Sequence, residues 1–172
     1  MFEPMSMQPQ IMTPGYRLAA VARSLWLLRH ADAEPQGMRE DFDRRLTAHG
    51  EQQARASGRA LARLGVQFDS VFTSPRVRSR DTALIACAEL GIVPVVHEPL
   101  SGGFDGRDLA ELEAAIGGDT QLLVGHEPDL SQLIGALTGA HVELKKSGLA
   151  LIRGGVLLTL LRPREIELVA GL

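Results

Sequence analysis

Three short stretches carry the residues able to do chemistry: Arg29-His30, Ser74-Pro75 leading to Arg78, and Gly125-His126. Two imidazoles and two guanidiniums at one place suit phosphoryl transfer. Its transition state spreads charge over three equatorial oxygens, which positioned cations and helix-start amides stabilise. A neutral imidazole can attack phosphorus and form a covalent phosphohistidine, dividing the reaction into two displacements. His30 is therefore read as the nucleophile, with Arg29, Arg78 and His126 holding the phosphoryl group. Arg78 and Thr82, four residues apart, share a helix face, whereas Arg76 and Arg80 project elsewhere and read as solvated charges. Two guanidiniums beside His30 should keep it neutral, so activity should fall only below about pH 6.

The elements that must position these residues follow from the apolar pattern. Leu25-Trp26-Leu27-Leu28 reads as a strand buried on both faces whose carboxyl end opens into a polar site, and Gln121-Leu122-Leu123-Val124-Gly125 repeats the theme before His126. Asp69 to Thr73 is a short strand, and Ser74-Pro75 reads as the start of a helix running to about Leu90. Residues 31 to 46 form a polar loop across the mouth, and Thr47 caps a helix whose Ala54, Gly58 and Leu61 pack a small-residue face on the sheet. Val93 to Val96 is an edge strand, because Pro94 lacks an amide to donate. Leu109, Leu112 and Ile116 define a short helix, and Leu130, Leu133, Ile134 and Leu137 another that closes at Gly139. Segments 148–153, 155–161 and 165–170 read as closing strands. Strands alternating with helices imply an α/β chain with a mainly parallel sheet covered on both sides. If the three site-bearing strands are neighbours, their functional residues converge at one sheet edge.

The same motifs resemble the histidine phosphatase superfamily, and specifically its short SixA-type phosphohistidine phosphatase branch. The match rests on Leu28-Arg29-His30-Ala31, Arg44 with Leu46-Thr47 and Gly50, Thr73-Ser74-Pro75 with Arg78 and Thr82, Glu98-Pro99-Leu100, and Val124-Gly125-His126-Glu127-Pro128, with Lys145-Lys146-Ser147-Gly148-Leu149-Ala150 continuing it. The resemblance implies a three-layer α/β/α sandwich of phosphoglycerate mutase-like fold and metal-independent phosphatase chemistry through His30. Arg44, Ser74 and Thr82 are carried over as phosphate- or substrate-binding residues. Many larger members of the superfamily place a proton-donating glutamate two residues after the leucine matching Leu100, where this chain has Gly102. Asp32, Glu34 and Glu98 stand as possible acids. General acid help is commonly worth about 10²- to 10⁴-fold, and a leaving imidazole needs less of it than an alkoxide. The expected substrate is thus a phosphohistidine in a protein, such as a histidine phosphotransfer domain. The alternatives are a small phosphate ester or a catalytically idle phosphate- or phosphoprotein-binding module. Room between Glu98 and Gln121 for only a Gly-rich loop and a short helix implies an open site.

Composition narrows the rest. The 172 residues, 45% hydrophobic and 23% charged, suit a single domain over 24–172 behind a tail over 1–23 expected to be disordered. A net charge of −3 gives no reason to expect a nucleic-acid or anionic-membrane partner. No apolar run approaches the roughly 18 residues of a membrane span. The lone Cys87 suits a reducing compartment, and the expected location is cytoplasmic. His49, His97 and His141 lack such neighbouring motifs and read as ordinary structural residues, and Lys145-Lys146 as a solvated pair. A zinc site would want a third protein ligand where this chain has arginines, so no metal or other cofactor is expected.

Overall fold

Six short strands form one sheet in the order β3-β2-β4-β1-β5-β6. They are β1 (Ser24–Arg29), β2 (Ser70–Thr73), β3 (Val95–Val96), β4 (Thr120–Gly125), β5 (Leu149–Arg153) and β6 (Val156–Leu161). The structure is a computed structural model and describes residues 23–172. The tail expected over 1–23 therefore lies outside the described residues except for Arg23, whose guanidinium meets Glu113. Strands β3, β2, β4 and β1 run parallel, and β5 and β6 add antiparallel to β1. The strands that carry the three motifs, β2, β4 and β1, are direct neighbours.

Successive strand residues point to opposite faces, so each buried strand feeds two cores. Trp26, Leu28, Leu122 and Val124 face a layer made by α1 (Ala48–Arg63), α2 (Val77–Ala88) and α5 (Pro163–Ala170). Leu25, Leu27, Leu123 and Ile152 face α3 (Gly106–Ala115) and α4 (Asp129–Thr138). The result is the three-layer α/β/α sandwich with a mainly parallel sheet. Among the described residues no helix is long and apolar enough to cross a membrane.

Several sequence expectations are corrected. Residues 165–170 are helical, not a strand. The alternation in Glu165-Ile166-Glu167-Leu168 suggested period two, but the buried pair is Ile166 and Ala170, four apart on α5. Pro163 in its first turn, a Glu165 carboxylate on the Arg162 amide and Gly171 in the left-handed region supply the helix's ends. Helix α2 begins at Val77 rather than at Ser74-Pro75, and the Ser74 hydroxyl accepts the Arg76 amide outside the helix. The small-residue face of α1 packs closely on a neighbouring helix. A Cβ on Gly58 would come within 2.3 Å of the Ala86 carbonyl oxygen of α2.

Candidate functional site

Strand register brings the site residues level. Arg29 pairs with Gly125 and Thr73 with Val124, so β1, β4 and β2 end side by side. Beyond those ends the backbone stays paired, His30 N–H donating to the Gly125 carbonyl at 3.0 Å and Ser74 N–H to the Val124 carbonyl at 3.0 Å. His30 and His126 thus emerge together, their ring centroids 5.2 Å apart. They are 6% and 7% exposed. A turn from the opposite side locks β1, where Ser147, at φ 58°, donates its amide to the Arg29 and His30 carbonyls.

The hydrogen bonds fix the tautomer of His30. His30 Nδ1 lies 2.8 Å from the Ala31 carbonyl oxygen, which only accepts, so Nδ1 carries the proton and Nε2 the lone pair. Arg78 Nε donates to that Nε2 at 3.3 Å. His126 Nε2 lies 2.8 Å from the Ser74 hydroxyl, which also accepts the Arg76 amide, and 3.3 Å from the Ser79 hydroxyl. The buried His126 Nδ1 has no partner among the described residues. Burial, first of all, pushes the His30 pKa down to about 3; the Ala31 carbonyl opposes this, and Arg78, Arg29 and Lys146 add to it. His126 is pushed down to about 2, by burial and then by the charges of His30, Arg78 and Arg76. Both rings are neutral at pH 7. The expectation that the guanidiniums dominate is corrected, because desolvation is the larger cause.

Arg29 donates to the Leu144 carbonyl at 2.8 Å and leaves its buried Nε without a partner among the described residues. Burial lowers the Arg29 pKa, with Glu127 and Glu143 opposing, but a guanidinium remains charged. Arg78 reaches His30 with one nitrogen and Asp41 with the others. The structure thus brings His30, Arg29, Arg78, His126 and Ser74 together.

The remaining expected site residues have other tasks. Thr82 is fully buried; its hydroxyl donates to the Arg78 carbonyl at 2.6 Å and accepts the Ala31 amide at 3.0 Å. It positions the strand end rather than lining the phosphoryl site. Arg44 touches neither imidazole. Its nitrogens bind the Glu34 carbonyl and the Asp41 carboxylate, through which it joins Arg78. Asp32 takes Lys146 at 2.8 Å and the Thr47 hydroxyl at 2.9 Å, and Glu34 takes Arg39 and the Arg45 amide. These bonds, the Lys146 one first for Asp32 and the Arg45 amide first for Glu34, hold both carboxyls below their usual pKa. Ionised at neutral pH, neither is placed to donate a proton. Glu98 is exposed on the one-turn helix Glu98–Ser101 and bonds to none of the site's imidazoles or guanidiniums.

Reading the sequence missed Asp41, which sits on a one-turn helix, Asp41–Asp43, and binds Arg44, Arg76 and Arg78. Arg76 is accordingly part of the site's rim, not a free surface charge. Lys146, exposed as expected, also pairs with Asp32. Asp41 had no local signal, because nothing in an acidic loop shows which carboxylate will meet the arginines of a distant helix. Cys87 is buried, and burial raises its thiol to about 11, which leaves it unreactive.

Comparison with known proteins agrees with this arrangement. Residues 25–115 match the family described as histidine phosphatase superfamily (branch 1). An uncharacterized protein of Picosynechococcus sp. is 40% identical over 140 residues, 76% of this chain and 85% of that one. A 2,3-bisphosphoglycerate-dependent phosphoglycerate mutase of Methylobacterium radiotolerans is 36% identical over 96 residues, 52% of this chain and 45% of its own length. A crystal structure assigned to a phosphohistidine phosphatase SixA from Agrobacterium tumefaciens superposes with a TM-score of 0.73 at 25% identity, covering 82% of this chain and 99% of that one. Fold and family together define an enzyme of the phosphatase or mutase kind. The chain belongs to the histidine phosphatase superfamily, in which its structural likeness is to the SixA-type branch.

Proposed function

We propose that this protein removes phosphate from phosphohistidine in a protein substrate, through a phosphoenzyme on His30. The observation that carries the reading is that none of the three carboxyls expected as acids is placed to give a proton at the phosphoryl site. Asp32 and Glu34 are tied up and ionised, Glu98 is exposed and bonds to none of the site's groups, and Gly102 has no side chain to give. An alkoxide leaves poorly without a proton, whereas an imidazole leaves far more readily.

His30 Nε2 attacks phosphorus as the bond to the substrate's imidazole nitrogen breaks, and that nitrogen takes its proton from water. Arg29, Arg78 and His126 stabilise the equatorial oxygens. Water then breaks the new nitrogen–phosphorus bond, releasing phosphate and restoring His30. The attacking step needs a neutral imidazole, and burial supplies it. Arg78 must give up its bond to Nε2 when the phosphoryl group arrives.

A macromolecular substrate suits the surroundings. Helix α3 packs into the core through Leu109 and Leu112, which supports an open site. The partner in this reading is a phosphorylated protein such as a histidine phosphotransfer domain, in the cytoplasm. The test is the initial rate on a phosphohistidine protein beside a panel of phosphate monoesters in metal-free buffer. Preference for phosphohistidine supports the reading. A monoester turned over faster overturns it.

A further inference from the structure

We infer that Asp41 determines substrate specificity by engaging the guanidiniums at the mouth, so that the site favours a lone phosphoryl group over phosphate esters bearing a second anionic group. Asp41 Oδ1 accepts from Arg44 Nε at 3.0 Å and Nη2 at 2.9 Å. Its Oδ2 accepts from Arg76 Nη1 and from Arg78 Nη2, the latter at 3.2 Å. One carboxylate thus serves three guanidiniums.

These arginines are not equivalent. Arg78 bonds to the nucleophile, and its side chain is 5% exposed. Arg44 and Arg76 touch neither imidazole and stand further out, Arg76 being 30% exposed. Each of the three Arg44 guanidinium nitrogens is engaged, Nη1 donating to the Glu34 carbonyl. Arg76 keeps a buried Nε without a partner among the described residues. Its other terminal nitrogen would lie 3.6 Å from a side chain at Gly102, so it borders the approach from that loop. With Asp41 charged, Arg44 and Arg76 each turn a terminal nitrogen to it, so a substrate carboxylate must compete with Asp41 for the charge-assisted bonds of these two guanidiniums. Removing that charge frees two.

Asp41 is not the missing acid. Burial alone would raise its pKa, but the charge of Arg78 and hydrogen bonds from Arg44 and Arg78 hold it below the usual carboxylate range. It stays ionised and acts by charge. Specificity obtained by leaving a competing ligand without a partner is a recognised route to selectivity.

The inference rests on the phosphatase reading for its purpose, namely keeping anionic metabolites off a site meant for a protein phosphohistidine. Its test needs no turnover. Dissociation constants of 3-phosphoglycerate and glycerol 3-phosphate are measured by calorimetry on the full chain as wild type, Asp41→Asn and Asp41→Ser. The two esters differ chiefly by the carboxylate. In wild type they should bind alike or the carboxylated ester more weakly. In both variants 3-phosphoglycerate should gain about tenfold relative to glycerol 3-phosphate, the worth of one charge-assisted contact. Adding Arg76→Ala to Asp41→Asn should abolish most of that gain. Equal tightening of both esters, or an unchanged ratio in the variants, overturns the inference. A protein that never hydrolyses phosphohistidine would still give these constants, so the two proposals fail separately.

Discussion

Two neutral, buried imidazoles should make folding stability strongly dependent on pH. An imidazole in the unfolded chain titrates near 6.5, whereas His30 and His126 do so at about 3 and about 2 in the folded protein. Between those limits the unfolded chain binds protons that the native one refuses, so stability falls as the pH falls. The contribution is fully present above about pH 7 and is lost progressively below 6.5. At pH 5 each histidine costs about 2 kcal/mol and the pair about 4 kcal/mol, a figure that belongs to the pair because each ring lowers the other's affinity for protons. That is a large part of the roughly 5–15 kcal/mol that holds a domain together. The assay is urea denaturation followed by far-UV circular dichroism at pH 7 and pH 5, on wild type and on His30→Gln/His126→Gln. Every other titrating group is common to both, so the difference between their pH dependences isolates the pair. Wild type should lose about 3–4 kcal/mol more than the double variant over that interval. Equal losses would refute the claim that the folded site keeps both rings neutral.

Three further expectations come from local geometry. Gly58→Ala should destabilise the fold by about 1–3 kcal/mol in thermal denaturation, because its Cβ would strike the Ala86 carbonyl of α2, whereas Gly106→Ala, with open space around it, should be neutral or slightly stabilising. Ser74→Ala removes the shorter of the two hydroxyl contacts that orient His126 and should lower kcat about five- to tenfold in steady-state kinetics, matching the ~1 kcal/mol of one such bond. Glu34→Gln should leave kcat within a few-fold of wild type; a fall in the range of about 10²-fold would identify that residue as a general acid after all.

The parts legible in the sequence were those encoded by local patterns. Continuous apolar runs ending in Arg29-His30 and Gly125-His126 marked buried parallel strands, and Thr47 marked a helix start that the structure shows capped by its hydroxyl on the Gly50 amide. Site membership of His30, Arg29, Arg78 and His126 followed because strand ends of a parallel sheet converge. Where reading failed, a non-local contact decided. Residues 165–170 show both periods, and packing of Ile166 and Ala170 against the sheet selects the helix. Thr82 shares a face with Arg78, but its hydroxyl is consumed by the Ala31 amide, a partner 51 residues away. Asp41 meets Arg76 and Arg78 across more than thirty residues, so its importance depends on the path of the mouth loop. The cause of imidazole neutrality was misassigned for the same reason, since burial is a property of the assembled site.

The most direct test of the account is to trap the phosphoenzyme. The full chain is mixed with a protein carrying radiolabelled phosphohistidine, quenched in alkali within milliseconds, and digested to locate the label, for wild type and His30→Ala. Acid-labile phosphate on His30, absent from the variant along with substrate dephosphorylation, is the expected result. Label that persists in His30→Ala, or undiminished dephosphorylation by that variant, would contradict it.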